Sequence, residues 1–304
     1  MATTTDEMPS FEHVTVMALE VVQALGAERG GVVLDVTAGG GGHSAAILAS
    51  APHARVIAFD RDPAAVSAAR ERLAPFGERA LVVHAEFSGV PDWVRDAKLD
   101  RVAGLVADLG VSSHQLSERA RGMSFRVEGP LDMRMNPNEG ETARELIERV
   151  SQDELADILY QFGEERRSRR VAACIKQALG AGALETTLDL RRAVVRAVGP
   201  HRIGGIDPAT RTFQALRIAV NRELEELDSL LTALPDLLGE GGVAAIISFH
   251  SLEDRRVKRT FAERALWERL SKKPILASEG ERAENPRARS AKLRTARRLG
   301  GATA

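Results

Sequence analysis

Apolar residues recur along this chain in two rhythms. In the first third, short apolar runs alternate with stretches of helical spacing. "GVVLDV" (31–36), "ARVIAFDRD" (54–62), "ALVVHAEF" (80–87) and "RVAGLVADLG" (101–110) have the length and branched content of buried strands. Between them, "GHSAAILASA" and "PAAVSAARERLAPF" repeat apolar residues at helical spacing, and Pro63 suits a first helical position. This βαβαβ alternation predicts a parallel, doubly wound sheet with right-handed crossovers. From about Ser117 to Asp236 the strand signal stops. "ETARELIERV", "SQDELADILYQFG", "RRSRRVAACIKQAL", "TLDLRRAVVRAVG" and one long stretch over 208–234 read as helices. So many helices between strands predict an inserted helical domain. "GGVAAIISFH" (241–250) restores the strand signal, and "LEDRRVKRTFAERALWERL" is helical again. "KKPILA" and "RSAKLRTARRL" pattern as a closing antiparallel pair. The reading is an α/β chain: core over 1–116, helical insertion over 117–236, core again over 237–304.

Composition narrows the classes. The 304 residues suffice for one large domain or two ordinary ones, and 44% hydrophobic content argues against disorder. A net charge of −1 means that contact with nucleic acid must come from local basic patches. The single cysteine, Cys174, excludes an internal disulfide and a cysteine-cluster metal site; in "RVAACIKQAL" it reads as a core thiol. "MATTTDEMPSFEH" has neither the basic start nor the apolar stretch of a targeting signal. No window approaches the roughly 18 apolar residues of a membrane span. These features predict a soluble cytoplasmic protein with no membrane partner.

The carboxyl ends of the predicted strands carry the candidate chemistry. Asp35, Gly39–Gly42, Asp60, Phe87 and Asp108 each lie at or just after a strand end, the edge where open α/β sheets bind ligands. Gly40-x-Gly42-x-x-Ala45 matches a dinucleotide fingerprint, with Asp60 placed for ribose hydroxyls. Asp35 argues against an NAD-type oxidoreductase, because a carboxylate beside a pyrophosphate seat repels it. S-adenosyl-L-methionine has no phosphate but carries an ammonium and a sulfonium. Asp35 would attract that cationic part, Gly39 and its neighbours would admit the ligand closely, and Asp60 would take the ribose. A structural turn with an acidic cap is the plainer alternative.

"LVADLGVSSHQL", "GPLDMRM", "YQFGEERRSRRVA", "PATRTFQALRIAVNRELEEL" and "ISFHSLEDRRVKR" follow one another along the chain. Together they resemble the MraW/RsmH family, bacterial methyltransferases that modify N4 of a cytosine in the decoding region of 16S ribosomal RNA. The resemblance runs from His13 to Arg294. It implies a Rossmann-like S-adenosylmethionine-dependent methyltransferase core with an inserted all-helical domain, and 16S rRNA within the small ribosomal subunit as partner. It also implies cofactor contacts at Gly41, Gly42, His43, Asp60, Phe87, Asp108 and Gln115. The chain departs from the family pattern at Met17-Ala18, where leucines are usual, and at His114, where proline is common. Two competing readings are a DNA amino-methyltransferase and a catalytically silent RNA-binding ribosome-assembly factor. The first lacks its prolines after Asp108, where the chain reads "DLGV"; the intact acids and glycines argue against the second.

Cytosine N4 is a poor nucleophile, so catalysis is mostly alignment plus help in shedding a proton. Asp108 is expected nearest the transferred methyl, with a helix cap as its alternative. In "SFHSLEDRR", His250, Ser251, Glu253 and Asp254 are candidates for positioning the base or accepting its proton, although Ser251-x-x-Asp254 also fits a capping box. His43 is read as a cofactor neighbour or cap before a general base. No cluster has zinc-like spacing, so no metal is expected. Two basic runs suit RNA phosphates: Arg166, Arg167, Arg169 and Arg170, then Arg287, Arg289, Lys292, Arg294, Arg297 and Arg298. Pairing with glutamates, or the solvent face of an edge strand, explains the same runs without RNA. Aromatics are scarce, and Phe87 is expected near adenine. "GPLDMRMNPNEGE" is expected as a lid over the site, unless Asp132 and Arg134 simply pair.

Overall fold

The computed structural model of the protein describes residues 15–200 and 207–300. The N-terminal stretch read for targeting signals, with His13, lies outside the described residues. The first half alternates α1 (Ala18–Leu25), β1 (Gly31–Asp35), α2 (Gly42–Ser50), β2 (Ala54–Asp60), α3 (Pro63–Leu73), β3 (Ala80–His84), α4 (Val90–Asp96) and β4 (Val102–Asp108). Asp62 caps α3 by accepting from Ala64 N, and Pro63 follows it, as the pattern predicts. Then come α5 (Ser113–Ser117), α6 (Ala143–Arg149), α7 (Gln152–Gly163), α8 (Ser168–Gly180), α9 (Thr187–Val198), α10 (Thr210–Asn221) and α11 (Glu223–Leu237). The chain closes with β5 (Leu238–Ser248), α12 (Ser251–Thr260), β6 (Trp267–Arg269), β7 (Ile275–Leu276), α13 (Glu279–Glu284) and β8 (Lys292–Arg298).

The strands form one sheet in the order β3-β2-β1-β4-β5-β8-β6, with β7 also on β8. The pairings from β3 across to β5 are parallel, and β8 runs antiparallel to β5. Alternation along β2 shows both faces buried. Val56 and Ala58 pack with α1, α2 and α3, while Ile57 and Phe59 pack with α4, α11 and α12. A third apolar cluster joins α6 to α10 with the loop residues Leu131, Met133 and Met135. Cys174 packs half-buried against it.

Three elements depart from the sequence pattern. The helix read over 252–270 stops at Thr260, and Trp267–Arg269 is strand β6 on β8, because Phe261 and Trp267 both turn into the core of the sheet. The long helix over 208–234 is two helices, broken at Arg222 with φ of 50°. Their apolar faces serve different cores, which one straight rod cannot do. Phe213, Ala215 and Leu216 of α10 join the helical cluster, whereas Leu227, Leu230, Leu231 and Leu234 of α11 pack on the sheet. Each such fully buried leucine contributes about 1.5–3 kcal/mol. Buried Asn221 pins the break, donating to Met133 O at 2.7 Å and accepting from Met135 N at 2.6 Å. The third departure is β8. It pairs with β7 as the pattern suggests, but β5 lies on its other side, so it is no edge strand. Among the described residues, no helix is long and apolar enough to cross a membrane.

Candidate functional site

The strand order reverses between β1 and β4, and a cleft of about 980 Å³ opens there at the carboxyl ends of the strands. Gly39, Gly40, Gly42, His43, Asp60, Phe87, Asp108 and Gln115 line it together, although they come from five segments of the chain. The glycine loop is shaped by backbone demand. Gly39 has φ of 50° and donates its N–H to Asp60 Oδ2 at 2.8 Å. A Cβ at Gly40 would meet nothing, while one at Gly42 would run into Thr15. Gly41 does not line the cleft. It is the N-cap of α2 with φ of 76°, a left-handed conformation that glycine adopts without strain.

Asp35 is also displaced from its expected place. It is fully buried beneath the loop and does not reach the cleft. Its carboxylate accepts from Ser44 Oγ at 2.6 Å and Thr37 N at 3.2 Å, tying the strand end to the first turn of α2. Burial raises its pKa, against the lowering influence of His43 and these hydrogen bonds. Asp60 accepts from Asp62 N at 2.9 Å as well as from Gly39. Burial pushes its carboxyl up to about 6, against the pull of those two N–H groups. Gln115 is held at both ends: Ser112 N donates to Oε1 at 2.9 Å, and Nε2 donates to Asp62 Oδ2 at 2.8 Å. Asp62 also accepts from buried Arg121. The sequence signal for Asp62 is only its place before Pro63; Arg121 ends a short 3-10 turn, Arg119–Arg121, that no pattern marks.

His43 and Asp108 face each other at the head of β4. His43 Nε2 lies 3.8 Å from Asp108 Oδ2, too far for a hydrogen bond. Both His43 ring nitrogens and Asp108 Oδ1 are buried with no hydrogen-bond partner. The backbone N–H of Asp108 donates to Thr37 Oγ1 at 2.6 Å, which fixes the strand end. Burial disfavours the His43 cation, but Asp108 and Asp35 outweigh it and raise the pKa. An unsatisfied buried polar group costs about 1–3 kcal/mol, and these three lie together at the cleft.

On the opposite wall, α12 presents one residue of its candidate set to the cleft, Glu253. The capping box sits one position earlier than expected. His250 is the N-cap and its Nδ1 accepts from Glu253 N, while Glu253 Oε2 accepts from Phe249 N at 2.9 Å. Burial raises the Glu253 pKa, but His250, the Phe249 N–H and Arg217 together lower it. His250, Ser251 and Asp254 do not line the cleft. Ser251 donates to Glu164 on the surface, and Asp254 pairs with Arg294 at 2.7 Å and Lys292 at 3.9 Å. Glu223, His250 and Glu253 place ligand-type atoms within 4.8 Å of one another, a cluster that short-range spacing did not reveal. Arg217 neutralises Glu223 through bonds of 2.7 and 2.8 Å, and His250 Nδ1 already accepts the capping N–H.

The basic runs divide. Arg287 lines the cleft. Arg289 donates to Arg282 O, Arg297 pairs with Glu268, and Arg298 is buried against the Pro235 and Leu299 carbonyls. Arg167 donates to Val198 O and Arg169 pairs with Asp153. Arg166 and Arg170 stay exposed. In the expected lid, Arg134 pairs with Asp132 at 2.8 Å, and Met135 lines the cleft.

Comparison with known proteins decides the family. The MraW methylase family model matches residues 10–299. The chain belongs to the MraW methylase family. A relative in Sorangium cellulosum, named ribosomal RNA small subunit methyltransferase H, is 61% identical, covering 96% of this chain and 93% of the relative. A relative of the same name in Prochlorococcus marinus is 53% identical, covering 95% and 94%. Among solved structures, an rRNA methylase from Streptococcus thermophilus is similar at a TM-score of 0.43 and 10% identity, covering 93% of this chain and 94% of that one. TrmN from Thermus thermophilus is similar at 0.45 and 12%, covering 93% and 48%. This MraW methylase has a Rossmann-like methyltransferase core, and its cofactor is S-adenosyl-L-methionine. The cleft fits that molecule: a glycine loop open at Gly40, a carboxylate at Asp60, and unpartnered polar atoms at His43 and Asp108.

Proposed function

We propose that this MraW methylase transfers the methyl group of S-adenosyl-L-methionine to N4 of a cytosine in the decoding region of 16S ribosomal RNA, within the small ribosomal subunit. The unpartnered His43–Asp108 pair at the cleft carries the reading. An exocyclic amine offers two N–H donors, and Asp108 Oδ1 is a buried acceptor without one. When bound, the cofactor supplies a methyl group already activated on a cationic sulfur. Asp108 accepts from the target amine and orients its nitrogen. The proton that the nitrogen sheds on methylation passes to Asp108, with His43 3.8 Å from it. Asp60 receives ribose hydroxyls, Phe87 packs along the adenine, and Gln115 forms a rigid wall. Relatives named as small-subunit rRNA methyltransferases support the substrate class.

Mass mapping of 16S rRNA tests this directly. Cells without the protein should lack one N4-methylcytidine mark, and the wild-type gene should restore it. A full set of marks in the deletion strain defeats the proposal.

The state of Asp60 sets a pH dependence. Ionised, its carboxyl offers only acceptors to the ribose hydroxyls; protonated, it loses part of that capacity, and burial pushes its pKa up to about 6. Cofactor affinity should therefore fall by up to about tenfold per pH unit below that point, and Asp60→Asn should flatten the profile. Calorimetric titration across the range reads this; a flat wild-type profile contradicts it. The sign for stability is opposite. A raised folded pKa contributes stability that is full below 3.8 and lost as pH rises through about 6.

A further inference from the structure

We infer that Arg287, backed by the ring of Phe249, is the platform on which the target base lies opposite Asp108. This deepens the proposed function and rests on it. "DLGV" after β4 has no aromatic residue to face a base. The structure brings one from the neighbouring strand. Phe249 directly follows β5, which pairs with β4 at Asp108↔Ile247. Gly110 lies beside it: its φ is 88°, and a Cβ there would be in ordinary contact with Phe249 Cδ2 at 3.7 Å. On the ring sits the Arg287 guanidinium, 5.4 Å from the centroid. That is a cation–π distance, which holds the planar group in place.

Arg287 lines the same cleft as Asp108 and His43, and its charge is felt at His43. Its position is built. Asn285 is buried and caps the short turn Pro286–Arg289, accepting from Arg287 N at 3.1 Å. Ala288 and Ala291 anchor the segment in the core beneath the sheet. An arginine held this way keeps a planar cation at the cleft. Nucleobases splayed out of their helix stack on guanidinium planes as they do on aromatic rings. A phosphate contact would need only the charge, which lysine also supplies.

This difference provides the test. An RNA fragment of the decoding region carries a fluorescent cytosine analogue at the target position, and stacking quenches it. The wild type should quench it, while Arg287→Ala and Arg287→Lys should both fail to. Methyl transfer to small subunits from the deletion strain should fall about 10- to 100-fold in kcat/KM for both variants. Phe249→Leu should give a smaller loss, and calorimetry should show unchanged cofactor affinity. Quenching and transfer restored by lysine overturn the platform in favour of a phosphate contact. Weakened cofactor affinity in Arg287→Ala overturns it in favour of a cofactor contact. Wild-type quenching without N4 methylation leaves the platform standing and removes the proposed reaction.

Discussion

Asp108→Ala should lower methyl transfer by about 100- to 10,000-fold while leaving the protein folded. Two observations separate these effects. Asp108 Oδ1 has no partner, so its removal breaks no side-chain hydrogen bond there. The strand end is held by the Asp108 backbone N–H on Thr37, which alanine keeps. His43, 3.8 Å away, loses Asp108 as an anionic neighbour, so the unfolding midpoint should fall only slightly and the transition stay cooperative. Asp108→Asn keeps an acceptor oxygen but loses the charge, and should fall between wild type and alanine. The pKa of His43 should drop in both variants, because Asp108 helps to raise it. Single-turnover transfer of a labelled methyl group, with NMR titration of His43, measures both. An alanine variant near wild-type rate would remove Asp108 from the chemistry.

Arg121→Met should be the most destabilising single change near the site, at about 3–5 kcal/mol. Arg121 and Asp62 are both buried and paired, and removing the cation leaves a carboxylate in the interior. That loss is a large part of the 5–15 kcal/mol typical of a folded domain. Asp62 keeps Ala64 N and Gln115 Nε2 as donors, neither of them charged. The double variant Arg121→Met with Asp62→Asn removes the stranded charge and should recover much of the loss. Urea unfolding compares the three proteins. A wild-type midpoint in the single variant would show that Asp62 finds water or another donor. Cofactor affinity should fall with stability in the single variant, because the carboxylate that anchors Gln115 is no longer held by Arg121.

Much of this architecture is legible in the sequence because parallel strands are buried on both faces. Their apolar runs are continuous, so their ends, and the acids at those ends, can be located to a residue or two. Asp60 and Asp108 are found that way. Local pattern fails where partners are distant. Arg294 looks available to RNA until Asp254, forty positions earlier, is seen to hold it. Capping preference favours serine over histidine, so "FHSLED" suggests Ser251 and Asp254 while the fold uses His250 and Glu253. Asp35 sits at the right strand end, but its side chain points beneath the loop. A chain reveals which residue ends a strand more readily than which face that residue takes. The break at Arg222 is hidden for a related reason: helical spacing continues through it while the buried direction changes.

The pairing of β4 with β5 also governs how fast the sheet can assemble. Asp108 lies beside Ile247, yet the whole helical layer separates them along the chain. In an unfolded polypeptide that closure carries an entropic cost, and contacts of such long separation form slowly. A helical layer that has already folded shortens the effective tether between the two strands. Substitutions in α7 or α10 that loosen this layer should slow refolding of the sheet without touching any residue in it. That outcome would make the helical layer a kinetic clasp for the core.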